Sequence, residues 1–519
     1  MNWKKYETLG NTAKGDETHY IIGLDIGNDS SAIAFYNLPN QEPESIDLSG
    51  GYGKPSIPTV MQYISENKEW VFGEYAVLNR GVGEEITLSS LMSRLGKFDY
   101  INVDHRSVSI ASVLSLFIKE ILASVKNFNP NAEIVGIVAT VPAYFSEHAQ
   151  EEFKRAFKHA GYEKELIAFV PDRECILTNH YRHLPETNEN VLLLDFGSRE
   201  LRGGLYSVTT ENNTVNITSM SSVFDSAIST SKINRDVNNM FETFVFSQIK
   251  APNSNQARQL REHTSAFSYQ HKDMLFQKNI TQKPMKFYFN FAYPPLQQIV
   301  DNNQVQTIIK PYVIKFNQFI QSVLDKNLYN KKIDPTNIDR VICVGGGFEM
   351  LWAKEAIMEI FNKDQISFYK NPKMVIAEGA SLVAASRLNV PSASNIAINI
   401  KDEHQLTGDV GLWDGKSFLP LVERNSFWWQ NHSSKIVLVN AQVTDSITFE
   451  IAERNKSGEN RSITKITINE MPKRPKGVTK LEFEVRFKSN KELTLNIRDM
   501  GFGDLFPVTN YNRTVEVSL

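Results

Sequence analysis

The strongest constraint on this chain is a pattern that occurs twice. "IIGLDIG" (residues 21–27) and "LLLDFG" (residues 192–197) are each an apolar run ending in Asp, one apolar residue and Gly. Each continues through a turn-forming cluster into a second apolar run, "YIIGLDIGNDSSAIAFYN" and "NVLLLDFGSRELRGGLYSV". Apolar run, Gly/Asn/Asp/Ser cluster, apolar run reads as strand, tight turn and returning strand. Two copies imply a duplicated α/β core in which two hairpins face each other. Each hairpin is introduced by a carboxylate, Asp25 or Asp195. A third strand-like run, "DRVICV", ends in Gly345, Gly346 and Gly347. Such glycines let the backbone approach a ligand and start a helix beside it.

That arrangement has a chemical use. Backbone N–H groups in the two turns, at Gly27, Asn28 and Asp29 and at Gly197, Ser198 and Arg199, would grip phosphate oxygens from opposite sides. Asp25 and Asp195 would hold a hydrated Mg²⁺ between them, since Mg²⁺ prefers oxygen ligands and keeps its waters. A single Asp-x-Gly is an ordinary turn in most chains; the repetition and the glycine run carry the reading.

A chain of 519 residues exceeds one hydrophobic core. Four segments are expected: a flexible tail over 1–18, a nucleotide-binding domain over 19–390, a linker over 391–402 that starts within the Pro/Ser-rich "NVPSASN" (389–395), and a β-domain over 403–519. In the first domain, apolar residues recur at helical spacing between Val103 and Phe128. Ser146 and Gly161 bracket a further helix, and residues 209–340 read as helical apart from "KPMKFYFNFAY". Beyond residue 400 the helix signals vanish. "KIVLVNAQV", "SITFEIAE", "KITINEM", "KLEFEVRF", "ELTLNIRD" and "TVEVSL" alternate like strands of a sandwich. A net charge of −3 points to neither nucleic acid nor membrane as partner. Cys175 and Cys343 are too few for a disulfide framework, and the polar N-terminus lacks a secretory pattern. The expected location is the cytoplasm.

Specific motifs then resemble one family. "IIGLDIGNDSSAIA", "TVPAYFSEHAQEEFKRAFKHAG", "VICVGGGFEM" and "NPKMVIAEGASLVAA" are similar, in order, to segments of the 70-kDa heat-shock (DnaK-type) chaperones. "LVERN" (421–425) and "MPKRPKGVTKLEFEV" (471–485) resemble that family's peptide-binding β-domain. Actin and the sugar kinases share the two lobes but not the β-domain. The resemblance, over roughly residues 20–519, implies an actin-like two-lobed ATPase fold with a duplicated ribonuclease-H-like core, followed by an all-β sandwich. It implies ATP or ADP with Mg²⁺ as cofactor. As partners it implies unfolded or extended peptide segments, or one specific protein, together with a co-chaperone. Trp413, Ala441 and Ile447 fall near the walls and floor of the family's peptide groove. The family's helical lid has no counterpart in this sequence.

The departures bear on chemistry. The family's catalytic lysine aligns with Val77, and the hydroxyls of the first turn become Asn28 and Asp29. The second turn carries Ser198, Arg199 and Glu200, and the adenine-flanking arginine becomes Glu349. The acid of the family's "NEPTAA" segment falls near Pro171 or Asp172. The adenosine clamp falls near Gln270, Asp273, Met274 and Gln277. A carboxylate about 4 Å from a phosphate oxygen costs on the order of 4 kcal/mol at an effective dielectric near 20. Arg199 or Arg202 would compensate, unless Arg199 simply pairs with Glu200. No residue is therefore assigned as catalytic. The expectation is a chaperone-like protein with weak or absent ATP hydrolysis, or a non-hydrolysing scaffold that has abandoned nucleotide.

Overall fold

The computed structural model describes residues 19–518 except 49–54, 79–84, 97–99, 104, 143–144, 146, 184–186, 212–213, 251, 277–282, 326–332, 391–396, 402–405, 407, 425–434, 440–442, 444–445, 472, 490–491, 503–504 and 510. The expected tail, the cap at Ser146, Gln277, Ala441 and the first part of the expected linker lie outside the described residues. The chain divides into two compact units. One is Met1–Met220 with Phe224–Ile400; the other is Lys401–Leu519 with Ser221–Val223.

The first unit contains two sheets built in the same order. In one, Leu166–Pro171, Glu133–Val141, His19–Ile26, Ser30–Asn37 and Glu42–Ser45 lie side by side, with Ser56–Pro58 also against Ser30–Asn37. In the other the order is Ile366–Phe368, Arg340–Val344, Asn188–Phe196, Leu201–Glu211, Thr214–Asp225 and Ala397–Lys401. The last of these takes up part of the expected linker. Each central strand pairs in parallel on one side and forms an antiparallel hairpin on the other. Ile21, Ile22, Leu24, Leu192 and Leu194 are fully buried. Strands covered on both faces read as continuous apolar runs, and that burial is what the repeated pattern encodes.

The helix Ile110–Phe128 begins later than the apolar spacing suggests. Ser109 caps it, its side chain accepting from the Ser112 amide, while Tyr100–Val103 and Arg106–Ser109 pair with each other as strands. Its buried stripe runs from Ile110 through Val113, Leu114, Phe117 and Ile121 to Val125. Each such side chain contributes about 1.5–3 kcal/mol when fully buried. Glu147–Ala160 stops at Gly161, which adopts φ +89°, a common helix ending.

The region 209–340 is less helical than its composition suggests, since Thr214–Asp225 and Leu296–Val300 are strands. In the former, buried Val215, Ile217 and Ser219 alternate with half-buried Thr214, Asn216 and Thr218, a period-2 pattern carried through a run of polar residues. The small-residue helix Val375–Arg387 packs closely on Asp172–Tyr181. A Cβ on Gly379 would lie 1.8 Å from the Cys175 carbonyl oxygen, so only glycine permits this approach. That contact sets the position of Asp172 at the start of its helix.

The second unit consists of two four-stranded antiparallel sheets. One orders Phe418–Val422, Asp409–Trp413, Ile447–Arg454 and Asn460–Ile468; the other orders Lys435–Val439, Thr479–Ser489, Glu492–Asp499 and Asn512–Ser518. Both contribute to one apolar cluster, in which Phe449 meets Phe483 edge to face at 5.2 Å. Arg474 and Asp499 form a buried bidentate pair with both N–O distances 2.7 Å. Asp499 also accepts from the Gly501 amide and from Thr509.

Candidate functional site: a cleft between the two hairpins

The two hairpin turns close alike. The Gly27 amide donates to Ser30 O and the Gly197 amide to Glu200 O, both at 3.1 Å. In register, Asp25 faces Ala32 and Asp195 faces Arg202. The turns, the start of the Asp172 helix and the glycine run converge on one cleft. Its inner chamber is lined by Asp25, Gly27, Asn28, Asp29, Asp172, Asp195, Gly197, Ser198, Arg199, Glu200, Arg202, Gly345, Gly346 and Lys373, with a volume of about 140 Å³. Gly345 holds φ +86°, and a Cβ there would lie 2.6 Å from Asp195 Oδ1. Gly347 instead packs on the Phe196 ring, where a Cβ would come within 2.1 Å.

The electrostatics centre on Arg202. Its two terminal nitrogens donate separately to Asp172 Oδ2 and Asp195 Oδ2, bridging the two carboxylates. Burial pushes Asp195 above the ordinary carboxylate range despite the opposing pull of Arg202. Burial also raises Asp25 to about 7, although the Thr140 hydroxyl donates to it at 2.6 Å and favours the charged form. Lys373 pairs with Glu349 at 2.9 Å. Burial works against its charge, yet the carboxylate lifts it above the usual lysine range.

An outer chamber of about 560 Å³ adjoins the first and shares Asn28, Asp29, Ser198 and Arg199 with it. Its remaining wall includes Ser90, Ser93, Ser226, Ser229, Ser231, Lys232 and Arg235. The first amides of the helix Thr230–Gln248 are occupied: Thr230 N donates to Gly197 O and Ser231 N to Ser198 O. The Ser93 amide likewise donates to the Asn28 side chain. The turn tips are thus tied to their neighbours.

Whether Mg²⁺ suits this cleft follows from the donors. A protein usually holds Mg²⁺ through one or two ionised carboxylates and leaves room for its retained waters. Asp172 and Asp195 are engaged by a guanidinium, and Asp25 is shifted toward neutrality. Among the described residues no group of three or more His, Cys, Asp or Glu is arranged to hold a metal. The residues present do not fit a resident Mg²⁺.

Val77 is buried with Val60 and Ala76, so no cation reaches the cleft from its helix, Gly73–Leu78. In the second unit, Trp413 pairs with Phe418 and Glu450, and Ile447 pairs with Ile468 and packs on the apolar cluster. Ile447 and Glu450 are about 10 Å apart along one strand. Sequence reading did not single out Thr140, Lys373, Lys232 or Arg235. The first two lie inside quoted motifs, "TVPAYF" and "NPKM", while the helix carrying the others had no ligand-like signature.

Residues 42–269 match the C-terminal part of a family of unknown function (DUF5716), and residues 410–519 match a domain of unknown function (DUF8552). The chain is similar to the chaperone protein DnaK of Thermosipho africanus, with 22% identity over 496 residues that cover 94% of this chain and 79% of that protein. It is equally similar to the DnaK of Thermosipho melanesiensis, 22% identical over 492 residues covering 93% and 79%. The similarity is weak but extends over both units. Among the described residues no helix is long and apolar enough to cross a membrane.

Proposed function

We propose that this chain is a divergent, DnaK-like peptide-binding protein with a degenerate nucleotide cleft. Under this reading the first unit is an actin-like two-lobed domain spanning residues 19–390. The second, over 403–519, is a β-sandwich that takes extended peptides near Trp413, Ala441 and Ile447. Phosphate groups would meet the turns at Gly27–Asp29 and Gly197–Arg199 and the backbone at Gly345–Gly346. ATP hydrolysis is weak or absent.

One observation carries the reading. The two matched hairpins bring Asp25 and Asp195 to a single cleft, and Arg202 joins Asp195 to Asp172 there. Inheritance of the cleft supports the DnaK-like ancestry, and the guanidinium at its centre supports the loss of hydrolysis. Phosphoryl transfer needs positive groups that follow charge as it develops; a guanidinium held between two carboxylates is already neutralised.

The test is fluorescence anisotropy of a labelled extended apolar peptide with the full chain. Saturable binding that does not respond to ATP is expected. Absence of binding across a panel of apolar peptides would favour the alternative, a scaffold that holds one specific protein partner.

A further inference from the structure

Resting on the reading of the cleft as a phosphate site, we propose that the outer chamber binds a polyphosphate-type anion without a divalent cation. Arg199, Lys232 and Arg235 receive the anion, while Arg202 stays engaged with Asp172 and Asp195 inside.

Size separates the two chambers. Ligand pockets run to roughly 300–1,000 Å³. The inner chamber, at about 140 Å³, is below that range, and the outer one, at about 560 Å³, is within it. Charge separates them in the same sense. Asp25, Asp29, Asp172, Asp195 and Glu200 outnumber Arg199, Arg202 and Lys373 in the inner chamber. In the outer chamber Arg199, Lys232 and Arg235 face a single acid, Asp29.

The helix Thr230–Gln248 explains the clustering. Lys232 and Arg235 are three residues apart, and Ser231 and Arg235 four, so all three project from one face. Because the leading amides of this helix already bond the second turn, its side chains and not its N–H groups are offered to the chamber. Guanidinium groups take phosphate oxygens in paired hydrogen bonds without a bridging metal. Arg202 holds Asp172 and Asp195, so these two carboxylates are already engaged by a cation.

The test is isothermal titration of the full chain with tripolyphosphate, and separately with ATP, in EDTA and then in excess Mg²⁺. Tripolyphosphate is expected to bind in EDTA and to bind more weakly once Mg²⁺ neutralises it. Lys232→Glu with Arg235→Glu, on the outer face of a folded helix, should weaken binding by about tenfold or more. Mn²⁺ alone, followed by electron paramagnetic resonance, should find no site in the wild type. Failure of tripolyphosphate to bind in EDTA, unchanged affinity in the double variant, or a wild-type Mn²⁺ site lost in Asp195→Asn would each overturn the proposal. Binding of tripolyphosphate but not ATP would uphold it while removing the nucleotide from the functional reading.

Discussion

Arg202 stands opposite Asp195 across the second hairpin, in the register position that Ala32 holds opposite Asp25 in the first. Two hairpins of one design thus differ at their equivalent positions by a methyl group and a guanidinium. In the second hairpin the guanidinium also reaches Asp172 on a neighbouring helix, converting a carboxylate-lined cleft into a closed ion triad.

Removing Arg202 leaves two buried carboxylates facing each other. Arg202→Ala should destabilise the first unit by about 3–5 kcal/mol, read as a lowered urea midpoint. Arg202→Met combined with Asp172→Asn and Asp195→Asn should recover most of that loss, because no uncompensated charge remains. Equal destabilisation in the triple variant would show that packing, not charge, explains the effect.

Asp25 gives a pH dependence with a definite sign. Its pKa is raised from near 4 to about 7, so the folded state holds the proton more tightly than the unfolded chain. The stabilisation from the protonated carboxyl is complete below pH 4 and is lost as pH rises to about 7. Its ceiling is about 4 kcal/mol, and less is expected because the carboxyl is only half-buried and opens on the cleft. Asp25→Asn, which mimics the protonated form, should raise thermal stability at pH 8 while leaving it nearly unchanged at pH 4. No difference between wild type and variant at pH 8 would remove the raised pKa from the account.

The Arg474–Asp499 pair should respond oppositely to acid. Burial tends to raise Asp499, but the bonds from Arg474, Gly501 and Thr509 outweigh it and hold the carboxyl below its usual range. Its contribution is present above pH 4 and is lost as pH falls through the lowered folded value. Asp499→Asn at neutral pH should cost the second unit about 3–5 kcal/mol. A near-neutral effect on its unfolding transition would contradict this.

Gly345 and Gly346 are adjacent yet should behave differently. At Gly345, alanine would require φ +86° and place its Cβ 2.6 Å from Asp195 Oδ1, a cost of about 1–3 kcal/mol. At Gly346 the nearest atom is the Lys373 Cε, at 2.8 Å on a side chain that can swing away. Thermal melts should therefore rank Gly345→Ala well below Gly346→Ala.

Much of this layout was legible in the sequence because it follows from local pattern. The repeated apolar-Asp-x-Gly runs marked both hairpins, and period-2 alternation marked six strands of the second unit. Asp409–Trp413 and Phe418–Val422 escaped because Gly411 and Pro420 break the alternation in these short segments. Thr214–Asp225 was hidden by its Ser and Thr content. At the site, Arg202 was visible only as a charge that would serve phosphate. Its pairing with Asp195 follows from hairpin register once the turn at Gly197–Glu200 is placed, but its contact with Asp172 depends on a helix that the sequence does not position. Lys232 and Arg235 reach the cleft only through tertiary packing.

Single-turnover hydrolysis of radiolabelled ATP by the full chain, with Mg²⁺ and with EDTA, tests the central claim most directly. The account predicts no Mg²⁺-dependent phosphate release above the protein-free background. Mg²⁺-dependent turnover that Asp195→Asn abolishes would show that the two carboxylates still work a metal, and that Arg202 has not taken its place.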